Sequence, residues 1–272
     1  MNLKEVKELL MQYDAAALKK YGQNFLIDDH ILAKIGKTLA NDAAVIEIGP
    51  GLGSLTRYLV KDYPQVLCYE IDPKMALVIK DTIPEAKLIV KDFLQCDINK
   101  DIDIYIKDKN IYLISNLPYY ITTPILLKVL EEVPRISKMV VMMQKEVAMR
   151  FLGKPKTKDY NSLSVLVQTY MNVEKVMDVA RSSFYPAPDV DSVVLKFERK
   201  DKPLYDISNE QHFKKINRLI FAQRRKTIVN NLKDIYNKEK ILASLQALGK
   251  SESVRSEELS VEEIIKLSNL LK

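Results

Sequence analysis

The sequence predicts an α/β fold, a mostly parallel sheet with helices on both faces, followed by a small all-helical domain. Three observations predict it. Short apolar runs alternate with helical patterns from about residue 44 to residue 143, as successive βαβ units require. A glycine-rich turn joins the first of those runs to a helix. Beyond about residue 200 only helical periodicity remains.

Taken in order, Leu3, Val6, Leu10 and Tyr13 recur at helical spacing, which predicts a short amphipathic helix over residues 1–13. A break carrying Gly22 follows. Residues 44–48 read as a buried strand, 55–60 as a helix, 66–69 as a second strand and 74–80 as a helix. Residues 88–90 give a third strand, 111–114 a fourth, 124–131 a helix and 138–143 a fifth strand. Residues 193–197 alternate less cleanly and read as a late strand near the sheet edge. A polar connection of Lys200, Asp201, Lys202 and Pro203 then separates a first domain, residues 1–202, from a helical domain, residues 203–272. Ser208 with Gln211, and Ser260 with Glu263, have capping-box spacing. Val261, Ile264, Ile265, Leu267, Leu270 and Leu271 mark a last amphipathic helix.

Composition narrows the function classes. Of 272 residues, 47% are hydrophobic, enough for a sizeable core. The longest apolar run, residues 139–143, is far short of the roughly 20 residues a membrane span needs. Residues 1–20 alternate Lys with Leu and Val and lack the apolar centre of a signal peptide, so a cytoplasmic protein is expected. Cys68 and Cys96 fit no metal or redox motif, and His30 and His212 stand alone; no metal is expected. The net charge of +6 suits a polyanionic partner. Nothing suggests obligate pairing, and a monomer is expected.

Residues 45–53 read VIEIGPGLG. An apolar strand ends at an acid, and Gly49, Gly51 and Gly53 follow at alternate positions, where the backbone must turn tightly and approach a ligand. Glu70 ends the next strand 19 residues past Gly51, the spacing at which a carboxylate accepts hydrogen bonds from ribose hydroxyls. The pattern indicates a nucleoside-containing cofactor. The G-x-G-x-G spacing departs from the G-x-G-x-x-G of NAD enzymes and favours S-adenosylmethionine. Asp92, after the third strand, is placed to accept from the cofactor's adenine amine or to cap a helix.

The string SNLPYY at 115–120 follows the fourth strand, at the sheet edge where open α/β folds bind ligands. Its residue types fit a demanding methylation. An adenine exocyclic amine is a poor nucleophile because its lone pair is delocalised into the ring. Acceptors that hold its hydrogens in tetrahedral geometry improve it. The Asn116 side-chain carbonyl and the Leu117 main-chain carbonyl are candidates for that role. Pro118 fixes the loop and offers no competing N–H. Tyr119 offers a ring for stacking, worth roughly 1–3 kcal/mol per base. Catalysis of this kind rests on positioning and electrostatics, on a base extruded from its stack.

In addition, GQNFL at 22–26, EIGPGLGSLT at 47–56, NLPYYIT at 116–122, QKEVAMRF at 144–151, NSLSVLVQ at 161–168, FYPAPDVDSVV at 184–194 and FAQRRKTIVNN at 221–231 occur in this order. Together they resemble the KsgA/RsmA family of ribosomal RNA adenine dimethyltransferases over nearly the whole chain. The resemblance implies a Rossmann-like class I methyltransferase domain, S-adenosylmethionine as cofactor, and transfer of two methyls to each of two adjacent adenines. Those adenines lie near the 3′ end of 16S rRNA, within an immature small subunit. It implies that Asn24, Leu26, Gly49, Gly51, Glu70, Asp92 and Asn116 line the cofactor site. Asn116, Leu117, Pro118 and Tyr119 would hold the target amine, with Phe184 on the adenine's other face. Arg218, Arg224, Arg225 and Lys226 are candidates for contacting RNA phosphates, with Arg218 and Arg225 close to helical spacing. Lys154, Lys156 and Lys158 form a second candidate patch.

Three other readings stay open at this point. An Erm-type 23S rRNA adenine methyltransferase usually reads N-I-P-Y and lacks the FYPAPDVDS string. A DNA adenine methyltransferase tends to carry two prolines before its Tyr. An assembly factor could keep the fold with catalysis secondary, although Asn116 and Tyr119 are intact.

Overall fold

The computed structural model describes residues 1–18, 21–108, 110–203 and 205–272. It divides into two compact units, Met1–Ala148 with Glu174–Glu198, and Met149–Val173 with Arg199–Lys272.

In the first unit α1 (Leu3–Gln12) is closed by a capping box of Asn2 and Glu5. A two-residue strand β1 (Phe25–Leu26) and helix α2 (Asp29–Gly36), capped by Asp28, lead to the sheet. Strands β2 (Ala44–Ile48), β3 (Val66–Glu70), β4 (Lys87–Val90), β5 (Ile111–Asn116) and β6 (Ile136–Gln144) alternate with helices α3 (Thr56–Asp62), α4 (Pro73–Thr82), α5 (Ile98–Tyr105) and α6 (Thr122–Glu132). Helix α7 (Lys145–Leu152) runs on from β6. Helix α8 (Ser162–Tyr170) follows, then β7 (Met171–Val179), a short β8 (Phe184–Tyr185) and β9 (Ser192–Arg199).

Seven strands form one sheet in the order β4-β3-β2-β5-β6-β9-β7. The pairs β2–β3, β3–β4, β2–β5 and β5–β6 are parallel, and β6–β9 is antiparallel. From β2 the chain winds outward to β4 on one side, and from β5 to β6 on the other. The order therefore reverses between β2 and β5, and a crevice opens there at the strands' carboxyl ends. The central strands are apolar because both faces are covered: all five residues of β2 and of β3 are buried. Val45, Ile114, Val140 and Met142 share a core with Leu32, Ile35, Leu59 and Val194.

Strand β7, absent from the sequence reading, holds the sheet edge, and β9 lies one place inward. Its alternation is obscured by Glu174, Lys175 and Asp178, charges of the kind that edge strands carry. The short helices α2 and α5 were also not anticipated. Each starts at an aspartate cap, Asp28 and Asp97, whose side chain accepts main-chain N–H groups.

The second unit holds α9 (Glu210–Ile220), α10 (Ile228–Leu232), α11 (Lys238–Ala247) and α12 (Val261–Leu270). Residues 149–173 belong with it because Tyr160 and Val165 are buried among Phe213, Ile216, Ile228 and Ile264. The division thus falls at Arg199, just before the polar connection, with an additional piece taken from residues 149–173. Ser260 and Glu263 form the expected capping box on α12. Ser208 does not cap α9. Asn209 does, accepting from the His212 N–H, while Ser208 bonds the Asn269 carboxamide instead. Among the described residues no helix is long and apolar enough to cross a membrane, and no group of three or more potential metal ligands occurs.

Candidate active site

The crevice at the β2/β5 reversal is a cavity of about 970 Å³, counting its open mouth. Its floor is the glycine loop after β2. Gly49 and Gly51 have φ of +67° and +56°, in the left-handed region. A Cβ at Gly49 would lie 3.3 Å from Cγ of Pro118, and one at Gly51 3.1 Å from Cε1 of Phe25. The loop is therefore drawn close both to the SNLPYY segment and to the segment after Gly22, and a side chain at either position would be strained.

Glu70, at the end of β3, is 4% exposed. Its Oε2 accepts the Gly51 N–H at 3.0 Å and its Oε1 accepts the Asp72 N–H at 2.9 Å. Burial raises its pKa, and those main-chain donors pull it back only in part. Each oxygen keeps a further lone pair, which suits a pair of vicinal hydroxyls. Glu47, on β2 beside it, is fully buried and its pKa is pushed up to about 8 by that burial. Asp92 serves two roles at once: it caps the turn Phe93–Gln95 through Oδ1, and it also lines the cavity. Phe93 packs edge-on to Tyr69, with centroids 5.1 Å apart.

The other wall is the segment after β5. The Ser115 hydroxyl donates to the Ile48 carbonyl at 2.6 Å, and the Leu117 N–H to the Met142 carbonyl at 3.1 Å, so both neighbouring strands hold it. The Pro118 carbonyl accepts from the Ile121 N–H at 3.3 Å and the Thr122 hydroxyl at 3.0 Å, starting α6. The Tyr119 hydroxyl and the Ser192 hydroxyl are 2.6 Å apart, which ties the tyrosine ring to β9. Asn116 is the chemical focus. Its Nδ2 donates to the Asn24 carbonyl at 3.4 Å, but its Oδ1 is buried and has no hydrogen-bond partner. An orphaned buried acceptor costs about 1–3 kcal/mol, so it marks a place for a donor that the protein does not itself supply.

Asn24, Leu26, Gly49, Gly51, Glu70, Asp92, Asn116, Leu117, Pro118 and Tyr119 all line this cavity. Phe184 does not. Its ring is 3% exposed and packs with Leu26, Leu32 and Val179, because β8 pairs with β1 and turns the side chain into the core. The sequence reading missed Gln23, Glu47 and Tyr120, which also line the cavity. Glu47 was visible as the acid before the glycines. Gln23 and Tyr120 lie within the quoted strings but carry no signal of their own.

The basic residues lie in the second unit. Arg218, Arg224, Arg225 and Lys226 are exposed. Helix α9 ends at Ile220, so Arg225 lies in the turn beyond it and shares no helix face with Arg218. Arg224 also makes contacts within the unit at the surface: Nε pairs with Glu257 at 2.5 Å, and its other nitrogens donate to the carbonyls of Lys158 and Thr157. That contact sets the loop of Lys154, Lys156 and Lys158 beside the 224–226 turn, so the two basic patches adjoin.

The geometry has counterparts. The family model described as ribosomal RNA adenine dimethylase matches residues 15–272. Ribosomal RNA small subunit methyltransferase A of Lactococcus lactis is 42% identical, over 99% of this chain and 95% of the relative. The enzyme of that name from Macrococcus caseolyticus is 41% identical, over 98% and 94%. Among solved structures, a dimethyladenosine transferase from Plasmodium falciparum superposes with a TM-score of 0.73 at 27% identity, covering 89% of this chain and 95% of that one. The 23S rRNA methyltransferase ErmE gives 0.70 at 28%, covering 91% and 99%. The fold is thus the Rossmann-like class I methyltransferase fold with a helical C-terminal region, and by sequence and structure alike the chain belongs to the ribosomal RNA adenine dimethylase family.

Proposed function

We propose that this S-adenosylmethionine-dependent rRNA adenine methyltransferase places two methyls on each of two adjacent adenines near the 3′ end of 16S rRNA. It acts within an immature small subunit and in the cytoplasm. Relatives at about 40% identity carry the small-subunit name, and on that ground the 23S alternative is not favoured.

The residues present fit the cofactor. A carboxylate with spare lone pairs, two positive-φ glycines that a Cβ would crowd, and an orphaned acceptor converge on one cavity. Glu70 would take the ribose hydroxyls, Asp92 the adenine amine, and Asn24, Leu26, Gly49, Gly51 and Asn116 the remainder. S-adenosylmethionine supplies a methyl on a sulfonium whose departure leaves a neutral thioether, so no general acid is required. The Asn116 Oδ1 and the Leu117 carbonyl accept the target amine's hydrogens and turn its lone pair out of the ring. Tyr119, anchored through Ser192, stacks the base. Pro118 withholds an N–H that would compete for the acceptors. The observation that carries this reading is the buried, partnerless Asn116 Oδ1 beside the glycine loop.

In the second unit, Arg218, Arg224, Arg225, Lys226 and the adjoining loop lysines would neutralise RNA phosphates, with Arg224 also tying the loop to the 224–226 turn. The reading is tested by methyl transfer from tritiated cofactor to small subunits from cells lacking the modification, with large subunits as control. Label confined to 16S rRNA supports it. Label in 23S rRNA, or in neither, overturns it.

A further inference from the structure

Gln23 lines the cavity and has no part in the chemistry above. Gln23 sits between the Leu18 main chain and the cap of α4. Its Oε1 accepts the Leu18 N–H at 2.8 Å, and its Nε2 donates to Asp72 Oδ2 at 2.9 Å. Asp72 is 4% exposed. Its Oδ1 accepts the Lys74 N–H at 3.0 Å, and its own N–H donates to Glu70 Oε1. Glu70 in turn accepts from the Gly51 N–H. An unbroken chain of hydrogen bonds therefore runs from Leu18 through Gln23, Asp72 and Glu70 to the glycine loop.

The segment that Gln23 anchors closes one wall of the cavity. Gly22 has φ +59°, and a Cβ there would lie 3.2 Å from the Tyr120 ring. The Asn24 carbonyl accepts from Asn116. We propose that Gln23 is a positioning residue: paired with Asp72, it latches the 21–26 segment shut over the cofactor and aligns that segment with Glu70 and Asn116. The proposal rests on the reading of this cavity as the cofactor pocket.

The latch has a fixed polarity that makes it testable. A main-chain N–H stands at each end, from Leu18 and from Lys74, so both ends need acceptors. Between them one amide must face one carboxylate. Gln23 with Asp72 satisfies this. Gln23→Glu sets two carboxylates against each other. Asp72→Asn sets two NH₂ groups against each other, and flipping either amide only moves the mismatch to a main-chain N–H. The double variant Gln23→Glu with Asp72→Asn restores one donor between three acceptors, with the amide and the acid exchanged. Asn is as good a helix cap as Asp, so α4 keeps its start.

Calorimetry with S-adenosylhomocysteine on the full chain and its three variants is the test, with steady-state methylation and thermal melting alongside. Each single variant is expected to raise the Kd roughly tenfold, as the closed fraction falls to about a tenth. The KM for cofactor rises with it, and kcat at saturating cofactor stays within about twofold. The exchanged pair is expected to return to within about threefold of the original Kd. Unchanged binding in both singles, or an exchanged pair as weak as the two losses combined, overturns the latch. Failure of the unsubstituted chain to bind would instead overturn the pocket assignment, and the latch with it.

Discussion

Asn116→Ala is expected to separate function from stability. The side chain makes one long hydrogen bond, 3.4 Å to the Asn24 carbonyl, and leaves Oδ1 buried without a partner. Carrying that orphan costs the free protein about 1–3 kcal/mol. Truncation removes this cost together with one weak bond and a small volume, so the net stability change should lie within about 1 kcal/mol. For a chain of this size that is a Tm shift of roughly 2–4 °C or less. In the transition state the same truncation deletes a pre-placed acceptor. Loss of one pre-placed hydrogen-bonding group of this kind costs about 10²–10³ in rate, or roughly 2.7–4 kcal/mol. The assay is single-turnover methylation of undermethylated small subunits at saturating cofactor, with calorimetric melting of the same preparations. A rate loss under tenfold, or a Tm lowered by more than about 6 °C, would refute the assignment and make Asn116 a structural residue.

Tyr119→Phe keeps the ring but strands the fully buried Ser192 hydroxyl, so stability should fall by about 1–2 kcal/mol with activity lowered less than tenfold. Tyr119→Ala should cost roughly 10- to 100-fold in activity, because stacking goes with the ring; paired melting and turnover assays check both. Gly53→Ala should destabilise more than Gly249→Ala. Both have positive φ, but a Cβ at Gly53 meets Ile83 Cδ1 at 2.4 Å and Ile79 Cδ1 at 2.9 Å, whereas at Gly249 nothing lies within 4 Å; equal denaturation midpoints would contradict this. Arg225→Ala with Lys226→Ala should reduce the salt-dependence slope of RNA binding by about 1.5 at unchanged Tm, whereas Arg224→Ala should lower Tm because it releases Glu257 and the 157–158 carbonyls. The buried Glu47 titrates at about 8 in the fold against 4.5 for a free carboxyl, so the folded state binds the extra proton between those values. Its contribution to stability is then fully present below about pH 4.5 and declines as pH rises to about 8, where it levels off. Glu47→Gln should flatten that part of the stability profile relative to the unsubstituted chain. A variant profile parallel to the original would refute the assignment.

The parts of the fold legible in the sequence are those where one local rule decides. Strand β2 is apolar throughout because both its faces are covered, and its observed limits coincide with the expected run at 44–48. Strands β3 and β5 extend one and two residues beyond the expected ends, since Glu70 and Asn116 are polar residues that line the cavity, and β6 likewise runs on to the polar Gln144. Edge strand β7 was hidden by its charges, and β1 and β8 are too short for any period to show. The piece 149–173 falls before the polar connection, and only three-dimensional packing of Tyr160 and Val165 joins it to the later helices. That Gly49, Gly51, Glu70, Asp92 and residues 116–120 share one cavity was legible because each stands at or just past the end of a strand. The placement of Phe184 in the core was not legible, because no string can report which way a two-residue strand turns its side chain. The internal contacts of Arg224 were not legible for a similar reason: its neighbours Glu257, Thr157 and Lys158 are distant in sequence.

The most direct test is a crystal structure of the chain with S-adenosylhomocysteine and adenosine. The purine's exocyclic nitrogen should lie within about 2.6–3.2 Å of Asn116 Oδ1, with its ring against Tyr119 and the cofactor sulfur on the far side of that nitrogen. A purine bound outside this cavity, or an Asn116 carboxamide turned away from the amine, would contradict the mechanism.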